Sequence, residues 1–541
     1  MNYLVPFDDY HRRVWMFQRN IRKIYPWKIA QILSMVHMQL ENDVWGGNQS
    51  VQNSFTSNLE RFGLKREGVQ YDPHSGGART YFSQLESLGL LFTRDDGSTW
   101  LTIAGQDLVE SNFAPAEILR TQLLNYQYPS IYSQVANVKI HPSIKIKPFL
   151  FVLELLLDPE IGYLTDEEIV IPVVYGHTHR CFNVCKQKIL LLRAGNDLLS
   201  IIDNPEEDLF TPRTRGRTST AALVDFKNIA NTCKNFLESC SLVLSVQAQS
   251  THSKQIIINE GVLPEIKKAL LNKSSFILVH NAESFQRKYG AWNRNKDTRT
   301  LIRGSGTNIS RGEPIIHALF AEYAGNNLVV DMPEDFVIQA VGYGFDRQLV
   351  LKTIEPYLVN SLSLFEQKFI ELSTGGISTA NAFEKAVKLL FEERLHYKAA
   401  HTGQRYRVGK TGGYSDVFIQ EISGRFCAII DTKASPRYNI SSSDYHTMKN
   451  SYIPSVQELE EYSNEGLGFC AYIAGGFEPA IDKRVQALSN ESGYNFVAIK
   501  AYDLLKLCQQ EILPSQQEKL TDTFRLNKLL TIHDFEMIHR S

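Results

Sequence analysis

Long apolar runs are missing from this chain. None of its 541 residues lies in a stretch approaching the ~18 uninterrupted apolar residues of a membrane span, so no membrane role is expected. The opening Met1-Asn2-Tyr3-Leu4-Val5-Pro6-Phe7-Asp8-Asp9 has no basic segment leading into an apolar core, so no secretory signal is expected either. Charge of one sign is also missing. The 57 Lys and Arg against 59 Asp and Glu leave a formal net charge of −2, which argues against a histone-like or coating role but leaves room for local basic tracts. Cysteine is sparse: seven scattered residues, an odd number, give no disulfide framework and suit a reducing cytoplasm. What is present is globular, with 43% hydrophobic and 21% charged residues. A chain this long divides into three or four compact units.

The densest chemical signal is Asp431-Thr432-Lys433, directly after the apolar run Phe426-Cys427-Ala428-Ile429-Ile430. Upstream, Asp416 opens Val417-Phe418-Ile419, and Ser423-Gly424 between the runs is a turn signal. The pattern predicts a β-hairpin with one carboxylate at the start of its first strand and a second near the end of the next. Alternate strand residues point the same way, so Asp431 and Lys433 share a face. Two carboxylates facing one gap are hard ligands for Mg2+, and a lysine beside them can position an attacking water. Acid-x-Lys triplets recur at Asp225-Phe226-Lys227, Glu265-Ile266-Lys267 and Glu366-Gln367-Lys368, but with helical periodicity and no preceding strand. These read as solvated helix faces.

A further acid precedes the hairpin. Phe383, Val387, Leu390, Phe391 and Leu395 recur at helical spacing after a candidate N-cap at Ser378-Thr379. Glu384 sits beside that stripe, and points either toward the two aspartates or along an ordinary helix flank.

From about Ser378 to Leu507 the chain resembles FokI-type cleavage domains of the PD-(D/E)xK nuclease superfamily. The resemblance rests on Ala428-Ile-Ile-Asp-Thr-Lys-Ala434 with Tyr438-Asn439, on Phe383-Glu-Lys-Ala-Val387, on Phe469-Cys-Ala-Tyr-Ile-Ala-Gly-Gly-Phe477 and on Val497-Ala-Ile-Lys-Ala-Tyr-Asp-Leu-Leu505. It implies Asp416 and Asp431 as metal ligands with the Thr432 carbonyl, Lys433 as the catalytic lysine and Glu384 as a supporting acid. Ser415 stands where the family usually has proline. Ser441 to Asn450 resembles the family's dimerisation helix, but His446 and Asn450 occupy the places of its acid-arginine pair, with Asp444 and Lys449 nearby.

The preceding residues must find the DNA. Gly76 to Gly89 reads as an amphipathic helix with Tyr81, Leu85 and Leu88 on its apolar face. Leu90 to Thr93, a turn at Asp95-Asp96-Gly97 and Trp100 to Ile103 then complete the tail of a winged helix. Arg79, Thr80, Ser83 and Gln84, at the start of that helix, are the candidate base readers; a protein-docking module has the same pattern. A second copy runs from a helix over Thr218–Ser239 into strands at Leu242–Val246 and Gln255–Ile258. Arg213, Arg215 and Arg217 before it can track phosphates or enter a minor groove, unless Glu206, Glu207 and Asp208 neutralise them. A third basic tract, Arg287, Lys288, Arg294, Lys296, Arg299, Arg303 and Arg311, reads as a long loop with Gly304, Gly306 and Gly312. His177, Cys181 and Cys185 recur every four residues, but structural zinc normally takes four ligands, so buried cysteines and a polar histidine are the simpler reading.

Arg79-Thr80-Tyr81 through Gly105, with Asn125-Tyr-Gln-Tyr-Pro-Ser130, resembles the recognition region of AlwI-type type IIS enzymes and related nicking endonucleases. That resemblance implies a short asymmetric duplex site cut to one side. The expected architecture is α+β and multidomain: tandem winged-helix-like DNA-recognition subdomains (1–145 and 146–270), a third recognition or connecting subdomain (271–365) and a C-terminal α/β PD-(D/E)xK nuclease domain (366–541). The expected activity is Mg2+-dependent cleavage of double-stranded DNA outside its site by a cytoplasmic enzyme that dimerises transiently through the cleavage domain. A strand-specific nickase, a modification-dependent endonuclease and a non-catalytic DNA-binding regulator remain alternatives.

Overall fold

The computed structural model describes residues 11–18, 25–40, 44–61, 76–110, 114–133, 139–202, 219–247, 254–279, 281–301, 313–358, 361–405, 413–462, 466–510 and 512–539. The chain forms two compact units, one of residues 1–323 with 333–357, the other of 324–332 with 358–541.

In the first unit, helices Pro26–Leu40, Gln49–Arg61 and Gly76–Ser87 pack on one another. Trp45 stacks on Phe82 with ring centroids 4.5 Å apart. The third helix stops at Gly89, whose φ of +72° suits glycine and where a Cβ would lie 2.5 Å from the Tyr289 ring. Leu91–Thr93 and Thr99–Leu101 follow as an antiparallel hairpin. Farther on, helix Ser219–Ser239 leads into strands Val243–Gln247 and Lys254–Ile258, close to the expected bounds. Leu164–Thr165 adds a third strand, too short to leave a periodic signature in the sequence.

The second unit is built on a six-stranded sheet whose spatial order follows the chain: β1 (Lys398–His401), β2 (Val417–Gln420), β3 (Phe426–Lys433), β4 (Gly466–Ala474), β5 (Phe496–Lys500) and β6 (Leu529–Leu530). Strands β1 to β3 pair antiparallel, and β3 to β6 pair parallel. The parallel strands β3, β4 and β5 are almost wholly buried, as sheets covered on both faces require. On one face Phe418, Ile429, Tyr472 and Phe496 meet Tyr445, Met448 and Val456 from the β3–β4 connection and Val485 and Leu488 from helix Ile481–Ser492. Each such aliphatic side chain contributes roughly 1.5–3 kcal/mol by leaving water.

Helices α1 (Ser361–Thr374) and α2 (Ala380–Glu393) pack together, and α2 lies on β2 and β3. Phe383, Val387, Leu390, Phe391 and Leu395 are all completely buried, so the sequence stripe is the packed face. The expected cap differs in detail. Thr379 holds the N-cap position, but its hydroxyl donates back to Leu372 O and Gly376 O rather than accepting from the helix. All three spare acid-x-Lys triplets fall on helices. One is not a solvated face: Glu366 is fully buried and takes a 3.0 Å contact from Lys506 Nζ.

Candidate active site

The β2–β3 hairpin turns through Gly424, at φ +76°, and pairs Ile430 with Val417. Continuing that register by one residue sets Asp416 opposite Asp431. The Thr432 backbone N–H donates to Asp416 Oδ2 at 2.6 Å, and the Thr432 hydroxyl donates to the same oxygen at 2.9 Å. Thr432 thus fixes one edge of the Asp416 carboxylate while its own side chain is buried. Lys433 Nζ lies 2.9 Å from each Asp431 carboxylate oxygen. The shared face expected of i and i+2 strand residues therefore exists as a direct ion pair.

Burial pushes the Asp431 carboxyl up to about 8; Lys433 pulls it down, and the adjacent Asp416 carboxyl adds to the rise. For Lys433, burial works downward, but the Asp431 and Asp416 carboxylates outweigh it and hold the ammonium above its usual value. These two directions compete, since a proton on Asp431 removes part of what holds Lys433 charged. The push on Asp431 governs, because its side chain is only 3% exposed whereas that of Lys433 keeps 28% of its surface in water.

Glu384, from α2, is buried rather than on an outer flank. A Cβ built on Gly403 would sit 3.2 Å from Glu384 Oε2 and 3.0 Å from Asp416 Oδ1, so the two acids flank one glycine. His401, at the end of β1, places Nε2 2.7 Å from Glu384 Oε2. His401 and Gly403 are site residues that the sequence reading did not single out. A histidine on a four-residue edge strand and a glycine in a turn have no spacing that ties them to acids elsewhere in the chain. The Lys433 ammonium also lies 5.9 Å from the Tyr438 ring centroid.

Among the described residues, no group of three or more His, Cys, Asp or Glu side chains is placed to hold a metal ion. Asp416 and Asp431 offer hard carboxylate oxygens of the kind a divalent cation such as Mg2+ takes, and the Thr432 backbone lies beside Asp416. His177, Cys181 and Cys185 do not lie on one helix. Cys181 ends a short 3-10 turn, whereas Cys185 is buried in helix Phe182–Arg193.

The candidate DNA contacts are placed unevenly. Arg79 is exposed, and Thr80 and Ser83 are partly so. Gln84 requires a correction: it is 1% exposed and its amide has no hydrogen-bond partner among the described residues, so it does not present itself to a base edge. The buried stripe runs through Ala78, Phe82, Leu85 and Leu88, with Tyr81 only partly covered, and that rotation carries Gln84 inward. In the third tract Arg294 and Lys296 are exposed. Arg299 is engaged internally, by Asp297, by Gln106 Oε1 at 2.6 Å and by Leu101 O at 3.0 Å, so it ties the tract to the hairpin. Arg287 and Lys288 lie on helix Ala282–Tyr289, not on a loop. Arg213, Arg215 and Arg217, with Glu206, Glu207 and Asp208, lie outside the described residues, as do Arg303, Gly304, Gly306, Arg311 and Gly312. His446, Lys449 and Asn450 are exposed on the segment after Ser441, which runs as a helix over Ser442–Thr447 and a π turn over Met448–Tyr452.

Residues 344–531 match the family described as FokI, cleavage domain, and that span holds every residue of the site above. No curated protein matches the chain significantly. Solved structures similar to it include restriction endonuclease FokI, at 14% identity and a TM-score of 0.25, covering 97% of this chain and 98% of that one. FokI bound to DNA is similar at 13% identity and a TM-score of 0.27, covering 97% and 100%.

Proposed function

We propose that this protein is a type IIS restriction endonuclease. It binds a short asymmetric site in duplex DNA through its winged-helix-like N-terminal segments and hydrolyses phosphodiesters a fixed distance outside that site, with Mg2+ as cofactor. One observation carries the reading: a hairpin register sets Asp416 against Asp431 and leaves Lys433 paired to Asp431, inside the span that matches a nuclease cleavage domain.

Asp416 and Asp431 would hold the cation with the Thr432 carbonyl, and their hard oxygens fit Mg2+. When bound, the cation supplies Lewis acidity toward the scissile phosphodiester. Thr432 keeps Asp416 in one orientation through two hydrogen bonds to Oδ2, which leaves Oδ1 as the freer oxygen. Lys433 holds a proton-bearing ammonium at the rim, where it can orient the attacking water. Glu384 supplies a further acceptor beside Asp416.

Recognition falls to Arg79, Thr80 and Ser83, with Arg294, Lys296 and the arginines Arg213, Arg215 and Arg217 following phosphates. The segments 1–145, 146–270 and 271–365 read the site and 366–541 cuts, as a cytoplasmic enzyme whose cleavage domain pairs transiently with a second copy to cut both strands. A second reading, a monomeric strand-specific nickase, is favoured by the exposed His446 and Asn450 where the family has its acid-arginine pair.

Digestion of unmethylated plasmid with Mg2+, beside a Lys433→Ala control, tests both readings. Double-strand ends at a constant offset from one short motif support the type IIS reading. Open-circular product at such an offset selects the nickase. No metal-dependent cleavage of either unmethylated or methylated DNA overturns the nuclease reading.

A further inference from the structure

The three-residue segment His401-Thr402-Gly403 touches both acids that flank the site from outside the hairpin. Its backbone straps Asp416: the N–H groups of Thr402 and Gly403 donate to Asp416 O at 2.9 and 3.0 Å. The Thr402 hydroxyl, fully buried, donates to Ser415 O at 2.5 Å and anchors the segment to the residue before Asp416. Its side chain at His401 reaches the other acid, Glu384, at 2.7 Å. Gly403 carries no side chain between the two, and the Glu384 and Asp416 carboxylates come to 3.2 and 3.0 Å from the point a Cβ would fill. His401 pairs in register with Val417, so it sits one residue along the sheet from Asp416.

An acid placed beside two others gains nothing from their charge. Among the described residues, Lys433 is the ammonium paired with Asp431, and like charges in a poorly hydrated pocket push apart. The contact Glu384 makes there is with His401 Nε2, 2.7 Å from its Oε2. Thr432 occupies Asp416 Oδ2, and it is Asp416 Oδ1 that, with Glu384 Oε2, borders the space a Gly403 Cβ would fill.

Resting on the nuclease reading, we propose that His401 is a positioning residue for the cation site. It acts through Glu384: by donating its Nε2 proton to Glu384 Oε2 it keeps that carboxylate beside Asp416 Oδ1. His401 itself touches neither substrate nor cation. Hydrogen-bond partners of this kind behind a metal site are generally worth roughly ten- to hundred-fold in metal affinity or rate.

The test uses the full chain and four variants: His401→Ala, His401→Gln, Glu384→Ala and the double His401→Ala/Glu384→Ala. One readout is Ca2+ binding by calorimetry without DNA; the other is the Mg2+ concentration giving half-maximal plasmid cleavage. His401→Ala should weaken Ca2+ binding and raise the Mg2+ requirement, each roughly ten- to hundred-fold. His401→Gln, which still offers an N–H near the same place, should recover most of the loss. The double variant should be no worse than Glu384→Ala alone. Unchanged Ca2+ affinity in His401→Ala overturns the proposal, as do losses that add independently in the double variant or a wild-type chain that does not bind Ca2+. A wild-type chain that binds Ca2+ but cuts no DNA refutes the nuclease reading instead, and the calorimetric comparison still decides the role of His401.

Discussion

Replacing Thr432 with valine removes one hydroxyl and little else. Valine has nearly the same shape, is at home in a strand and keeps the backbone N–H that donates to Asp416 Oδ2 at 2.6 Å. What is lost is the 2.9 Å bond from the hydroxyl to that same oxygen, at a residue only 7% exposed, so water cannot readily replace it. A hydrogen bond to a charged group contributes about 1.5–3 kcal/mol, of which the retained N–H keeps Asp416 roughly in place. A loss of about 2 kcal/mol in holding Asp416 corresponds to a fall on the order of thirty-fold in cleavage rate. The assay is single-turnover plasmid cleavage at fixed Mg2+, with thermal melting of the same samples. Thr432→Val should cut slowly yet melt within a few degrees of wild type, and Thr432→Ser, which keeps the hydroxyl, should cut near the wild-type rate. Wild-type cleavage by the valine variant would refute the reasoning. Equal impairment of valine and serine variants would assign the effect to packing instead.

Other outcomes follow from the same geometry. Lys433→Ala should abolish cleavage in the plasmid assay, with circular dichroism of the same samples to separate that loss from unfolding, since the change removes the 2.9 Å partner of an Asp431 side chain only 3% exposed. Gly403→Ala should impair cleavage at least as much as Thr432→Val: its methyl would sit 3.0 Å from both the Asp416 Cα and Oδ1, and the backbone there cannot yield easily. Arg299→Ala should lower the melting temperature through its lost bonds to Asp297, Gln106 and Leu101. The double change Arg294→Ala/Lys296→Ala should instead leave the melt unchanged and reduce the salt slope of DNA binding by about two.

Local chemistry determined the candidate-site hairpin from sequence alone. Two β-rich runs, a Ser-Gly turn and the alternation of strand side chains were enough to set Asp416, Asp431 and Lys433 together, because each constraint acts within about twenty residues. The Phe383 to Leu395 stripe was equally legible, since a helix writes its buried face into its own spacing. Rotational detail was less so. On the Gly76–Ser87 helix, Phe82 rather than Tyr81 packs against Trp45, a choice made by the partner ring, and it turned Gln84 from a candidate reader into an interior residue. Likewise nothing in the basic tract announced that Arg299 is engaged by Asp297 and Gln106 while Arg294 and Lys296 stay exposed.

The sequence by itself determined which side chains are candidates for the chemistry and that the hairpin brings three of them, Asp416, Asp431 and Lys433, to one end. Only the tertiary structure decided what holds them: the edge strand that delivers His401 to Glu384, the turn that straps Asp416 through Thr402 and Gly403, and the burial that raises the Asp431 carboxyl. Those contacts join segments with no shared periodicity, so they exist only once helix, edge strand and hairpin have packed, and packing is a property of the partners together rather than of any one stretch of chain.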